Sequence, residues 1–201
     1  MERRLDINKM SEDLRNITNK KEDLKPEYIP FPIAFRTVDV VPYYYFEEGK
    51  WPTVKTDLYY LLGRKPGLTQ WQCIGGFVDP TDISAEEAAK RELKEEANID
   101  INSTLLLGVN PNDLLRNMNT WNPKGLFYIG SHQIDDERYK NTSHKIITNL
   151  YLVPLLEEPE IKAGDDIEEL RWFSRTELSL KKEEIIVKKH LILVDNFLHN
   201  T

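Results

Sequence analysis

The chain has 201 residues, of which 40% are hydrophobic and 30% charged, with a net charge of −7 at neutral pH. This is the composition of a globular chain long enough for one domain with a core of its own. The acidic balance argues against nucleic acid as a bulk partner, the single Cys73 excludes an internal disulfide and a zinc ribbon, and no run is apolar enough for a signal peptide or a bilayer span, which makes the cytoplasm the expected compartment.

Residues 1–30 are charged and read as an N-terminal arm, in which Ile7, Met10, Leu14 and Ile17 form a thin stripe at helical spacing. The domain is expected over residues 31–201. Pro26, Pro30 and Pro32 enforce extended backbone, and residues 31–46 read as a strand, with Pro42 suggesting an edge position or a bulge. After a turn at 47–50, the nearly unbroken apolar run at 55–63 predicts a central strand. Residues 64–67 form a basic turn, and 70–76 lead into the glycine pair Gly75-Gly76. Cys73, just before that pair, reads as core packing.

Between Ser84 and Ala97 every residue is a good helix former. Ser84 and Glu87 have the spacing of a capping box. At about 100° per residue, Ala89, Leu93 and Ala97 make one apolar stripe. Glu92, Glu95 and Glu96 fall in an arc of roughly 100° beside it. Like charges so placed repel by a few tenths of a kcal/mol, and oxygen-only ligands suit hard cations such as Mg²⁺ or Mn²⁺. The plain alternative is a solvated acidic face.

Further along, strands are expected at 103–109, 125–133 and 146–155. They are separated by an Asn- and Pro-rich loop at 110–124 and a polar loop at 135–145. An acidic turn at 157–160 precedes a strand ending in Arg171-Trp172-Phe173, and Ser174 with Glu177 gives a second capping box. Residues 181–198 predict an amphipathic helix in which His190 reads as a core histidine.

The stretch from Gly75 to Ile99 resembles the Nudix box, G-x5-E-x7-R-E-U-x-E-E-x-G-U with U apolar. Gly76 takes the first glycine, and Arg91, Glu92, Leu93, Lys94, Glu95, Glu96 and Ile99 match the second half in order. The chain departs from the pattern at three places. Asp82 stands for the first Glu, one extra residue lies before Arg91, and Asn98 replaces the last glycine, for which Asn is the next best left-handed cap. The resemblance covers roughly residues 31–180. It implies an α/β fold, a Nudix-type α/β/α sandwich around a mixed sheet.

The resemblance also implies a hydrolase acting on a nucleoside diphosphate linked to another moiety, with Mg²⁺ (or Mn²⁺) as cofactor. The metal ligands would be the Gly75 carbonyl, Glu92, Glu95 and Glu96, with Glu95 bridging or acting as base and Arg91 orienting a carboxylate. A water-activating base in a loop after the box would be one of Asp135, Asp136 and Glu137, with Asp136 favoured. The segment 134–148, with Val78-Asp79-Pro80, Ile83-Ser84-Ala85 and Glu95-Glu96-Ala97, is similar to one branch of ADP-ribose pyrophosphatases. AMP and ribose 5-phosphate would then be the products. Arg64 and Arg138 are candidates for phosphate or ribose contacts. Phe46 and Trp121, with Tyr43 and Tyr45, are candidates for stacking on adenine.

The expected partner is a small nucleotide, with no nucleic acid and no membrane; a homodimer stays open. The competing readings are an NDP-sugar, dinucleoside polyphosphate or nucleotide-pool hydrolase, and a non-catalytic ADP-ribose sensor. A diphosphate isomerase would need a catalytic cysteine, for which Cys73 is poorly placed.

Overall fold

Alternation along the strands decides which face of the sheet each side chain joins. In the computed structural model, which describes residues 33–48, 55–101, 125–155 and 158–201, β1 (Ala34–Glu48) sends Val38, Val40 and Tyr44 to one face and Val41 and Tyr43 to the other. The arm, the strand expected at 103–109 and the loop at 110–124, Trp121 included, lie outside the described residues, as does part of each turn expected at 47–50 and 157–160.

β2 (Lys55–Arg64), β3 (Phe127–Ile134), β4 (Lys145–Leu155) and β5 (Glu169–Ser174) complete a five-stranded sheet in the order β3-β4-β1-β2-β5. β1 runs parallel to β4, and the other pairs are antiparallel. The sheet is therefore mixed, and β2 is an interior strand. Pro42 lies inside β1, where the edge and bulge expectation fails. Val38 and Val40 donate to Gly76 and Ile74, and pairing with β2 begins only at Tyr43. Pro42 thus sits where β1 changes partner, and its missing N–H costs no ladder bond.

Helix α1 (Ala85–Ala97) covers one face, where Ala85, Ala88, Ala89, Leu93 and Ala97 pack on Val38, Val40 and Leu61. Helices α2 (Arg175–Ile185) and α3 (Leu191–Asn200) cover the other, with Leu178, Leu193, Val194 and Phe197 against Val41, Tyr43, Tyr60 and Leu62. This is an α/β fold with helices on both faces of a mixed sheet.

The single helix expected at 181–198 is two helices. The chain leaves α2 at Ile186 (φ −100°, ψ 139°), where Trp71 donates to the Ile185 carbonyl and Val187 donates back to Trp71. The β-branched run Ile185-Ile186-Val187 tolerates that extended step better than helix interiors tolerate it. A 3-10 turn at Lys188–His190 then starts α3. No helix among the described residues is long and apolar enough to cross a membrane.

Candidate active site

The Ser84 hydroxyl accepts the Glu87 N–H at 3.2 Å and starts α1. Asn98 ends it at φ 58°, the left-handed cap that the last glycine of the box would have supplied. Burying the alanine–leucine stripe leaves Glu92 and Glu96 at the rim of the covered face. They are only 6% and 1% exposed.

The glycine pair explains how two carboxylates fit there. Gly75 has φ 148°, and a Cβ would stand 2.1 Å from the Val38 carbonyl oxygen, so no other residue fits. Its N–H donates to Glu96 Oε2 at 2.8 Å. A Cβ on Gly76 would lie 2.6 Å from Glu92 Oε1. One glycine lets the chain lie against β1, and the other leaves room for the Glu92 carboxylate.

Arg91 ties the rim together. It donates to Asp82 at 3.0 and 3.2 Å, to Glu92 at 2.8 Å, to Glu95 at 2.9 Å and to the Phe77 carbonyl at 3.0 Å. Two of the departures from the box are thereby reconciled. Asp82 is shorter than a Glu, yet it reaches Arg91 from the lengthened loop, which the Asp79 N–H fixes by donating to Asp82 at 2.8 Å. The Arg91 hydrogen bonds hold the Asp82 carboxyl below its usual value.

Two further acids join this group. Gly164 and Lys162 donate to the last carbonyls of α1, those of Glu96 and Ala97, at 3.2 Å. That docking brings Asp165 and Asp166 to Glu96, and the three carboxylates lie within 4.8 Å of one another. Burial, and a hydrogen bond shared with Asp166, push the Glu96 carboxyl up to about 9, against the pull of the Gly75 N–H and Lys65. Burial also raises Glu92. An all-oxygen set of this kind, with one carboxylate reaching the backbone, fits a hard divalent cation.

Glu92, Glu96, Asp165 and Asp166 line one cavity of about 640 Å³ together with Gly75, Gly76 and Phe77. A second set of polar side chains lines the same cavity: Asp39, Asp136, Arg138, Lys189 and His190. Asp136 caps the 3-10 turn Glu137–Tyr139 and accepts from Arg138 at 2.8 and 3.0 Å and from Lys189 at 3.4 Å. Arg138 above all, then the cap N–H and Lys189, hold its carboxyl far below the usual range. Arg138 itself lies over the rings of Phe77 and Tyr139, at 5.5 and 5.8 Å.

The structure thus brings Gly75, Glu92, Glu96, Asp136 and Arg138 to one cavity. Arg91 and Glu95 stand beside it without lining it, Glu95 being half exposed. Arg64 and Phe46 do not reach it. The Arg64 guanidinium is taken by Glu168, Glu169 and the Leu68 carbonyl. Phe46 lies far along β1, 43% exposed, with its ring against Tyr59. Tyr43 is buried in the core. Asp135 and Glu137 are exposed. Trp121 lies outside the described residues. Sequence reasoning passed over Asp165 and Asp166, for which the signal was the Gly-Asp-Asp step before β5, and Phe77, the aromatic directly after the glycine pair.

The NUDIX domain family profile matches residues 54–193 of the chain. No curated protein matches it in sequence. Among solved structures, it is similar to the NUDIX domain of Shewanella oneidensis NrtR complexed with ADP ribose, at 17% identity, TM-score 0.56, over 90% of this chain and 96% of that one. It is also similar to a C. elegans Ap4A hydrolase (17%, TM-score 0.51, 81% and 94%) and to a NUDIX-family hydrolase from Clostridium perfringens (19%, TM-score 0.50, 82% and 96%). At such identities the structural likeness speaks for the fold, whereas the profile spans more than half of the chain. With Glu92 and Glu96 of the box gathered at one cavity, the chain belongs to the NUDIX family and is a hydrolase of nucleoside diphosphate derivatives.

Proposed function

We propose that the chain is a Mg²⁺-dependent pyrophosphatase that cuts ADP-ribose into AMP and ribose 5-phosphate. The observation that carries the metal-dependent reading is the pairing of Glu92 and Glu96, both buried, both on the cavity and both against the Gly75-Gly76 backbone. ADP-ribose is favoured by the similarity of the 134–148 segment and of the box to one pyrophosphatase branch. The NrtR NUDIX domain, which shares the fold, was solved with that ligand.

In this reading Glu92 and Glu96 hold the ions, with the Gly75 main chain and Asp165 or Asp166 as further oxygen donors. When bound, divalent ions neutralise the diphosphate and acidify the attacking water. Arg91 fixes the rotamers of Glu92 and Glu95 through its two hydrogen bonds. Of the three box carboxylates on α1, Glu95 is the one left to take the proton of the water. Asp136 is a poor base, because a carboxylate held by two cations has little affinity for a proton. It instead aims Arg138 and Lys189 at the anionic substrate. Phe77 and Tyr139, rather than Phe46, offer aromatic faces near the cavity for adenine.

The test is a panel of ADP-ribose, NADH, UDP-sugars, diadenosine polyphosphates and NTPs with Mg²⁺, read by chromatography of the products. AMP and ribose 5-phosphate, with the highest kcat/KM on ADP-ribose, is the expected result. A clear preference for another diphosphate would replace the substrate. Tight ADP-ribose binding with no turnover of anything on the panel would replace catalysis by sensing.

A further inference from the structure

We propose that Asp39, Cys73 and His190 form a second metal site, for a thiophilic divalent cation of the Zn²⁺ class, in the wall of the same cavity. The proposal does not rest on the substrate reading above. Three separate elements supply the donors: β1 gives Asp39, the extended segment before the glycine pair gives Cys73, and the 3-10 turn before α3 gives His190. The Asp39 oxygen, the Cys73 sulfur and a His190 nitrogen all lie within 4.8 Å of one another. The residues are 6%, 1% and 7% exposed.

The geometry is that of converging lone pairs. His190 Nδ1 accepts the Cys73 N–H at 3.2 Å, so this nitrogen carries no hydrogen and its one lone pair faces Cys73, where an ion bound to Nδ1 would take the place of that hydrogen bond. Asp39 Oδ1 faces the same nitrogen at 3.5 Å. Two acceptors therefore meet without a proton between them. The other Asp39 oxygen accepts from the Thr148 hydroxyl at 2.5 Å, which fixes the carboxylate in the manner of an outer-shell partner of a metal ligand. A buried carboxylate whose contacts are a hydroxyl and an acceptor nitrogen is costly, and a bound cation compensates it.

The donor set is one nitrogen, one sulfur and one oxygen, which selects zinc-like ions, whereas the oxygen-only set of Glu92, Glu96, Asp165 and Asp166 selects hard ones. Zn–N and Zn–S bonds of about 2.0 and 2.3 Å set the donors of a tetrahedral ion roughly 3.5 Å apart, and Asp39 Oδ1 and His190 Nδ1 are 3.5 Å apart. Asp39 and His190 line the cavity, which supplies an entry path and leaves the fourth position to water or substrate. On binding, the Cys73 S–H bond breaks, a Zn–S bond forms and the proton leaves to solvent; no oxidant or reductant is involved. The ion would also tie the start of α3 to β1.

Cys73 is the only cysteine of the chain, so a thiolate–metal signal has one source. The experiment adds Co²⁺, then Zn²⁺, to the full-length Glu92→Gln/Glu96→Gln variant and follows the near-ultraviolet thiolate-to-cobalt charge-transfer band. The expected result is one Co²⁺ per chain with that band, its bleaching by stoichiometric Zn²⁺, and its loss in Cys73→Ser. The unaltered chain should show the same band, which covers the case of a variant that fails to fold. No band from either folded protein at saturating Co²⁺, or Zn²⁺ uptake unchanged by Cys73→Ser, would overturn the site. Activity is not the readout, so failure of this site and failure of the ADP-ribose reading remain distinguishable.

Discussion

The cavity holds two carboxylates in opposite condition. Glu96 is buried beside a second acid and a backbone N–H, and its carboxyl is pushed up to about 9. Asp136 is half-buried, its side chain 8% exposed, and Arg138 and Lys189 hold its charge in place. Burial alone therefore does not mark a metal ligand. Glu96 differs in being buried with no hydrogen-bonded cation among the described residues, at a point a divalent ion could reach. Arg91 sharpens the contrast. It serves Asp82, Glu92 and Glu95, and no hydrogen bond from it to Glu96 is found among the described residues.

The largest effect should come from removing the two buried acids that line the cavity. Glu92→Gln and Glu96→Gln are each expected to lower Mg²⁺-dependent kcat/KM by at least about 100-fold, the upper end of what outer-shell partners of metals cost. Circular dichroism should show the fold retained. Full turnover by both variants would break the comparison on its acidic side.

Arg91→Ala should cost about 10–100-fold, because it frees three carboxylates, Asp82, Glu92 and Glu95, rather than deleting one. A higher Mg²⁺ requirement should accompany the loss, and steady-state kinetics across Mg²⁺ concentrations would measure both. Asp136→Asn is expected to cost less than about tenfold, whereas a general base would cost about 10²–10⁴. Its effect should fall on KM, through a loosened Arg138, and a pH profile of kcat that keeps its acid-side limb would agree.

The smallest expected effect, and the sharpest, is on stability against pH in chelator. The Glu96 carboxyl rises from 4.5 to about 9 on folding. The folded chain thus holds a proton that the unfolded chain gives up, and stability contributed below pH 4.5 is lost as pH climbs toward 9. Asp136 is lowered from 3.8, so its contribution is present above that value and fades as pH falls below it. Urea midpoints should then rise with pH at the acid end and fall at the alkaline end. Glu96→Gln should flatten only the alkaline fall, and Asp136→Asn only the acid rise.

Much of this was legible in the residues. The helix over 85–97, its Ser84 and Asn98 caps and the buried Ala89-Leu93-Ala97 stripe follow from local propensity and spacing, which tertiary contacts did not override. The carboxylate pair was legible for the same reason, since one helix carries it. The break at Ile186 was not, because the periodicity of 181–198 is helical throughout and only the bond to Trp71, more than 100 residues away, decides against it. Arg64 and Phe46 were picked for residue type, but the partners that claim them, Glu168, Glu169 and Tyr59, are set by β2 pairing with β5 and β1. The Asp39–Cys73–His190 cluster draws on three elements, and neither Cys73 nor His190 signals the others along the chain.

Mn²⁺ titration followed by electron paramagnetic resonance asks most directly whether Glu92 and Glu96 hold a divalent ion. The unaltered chain should remove at least one equivalent of Mn²⁺ from the free-ion signal, and Glu92→Gln and Glu96→Gln should each weaken that uptake by tenfold or more, about 1.4 kcal/mol. Equal uptake by all three proteins would contradict that role.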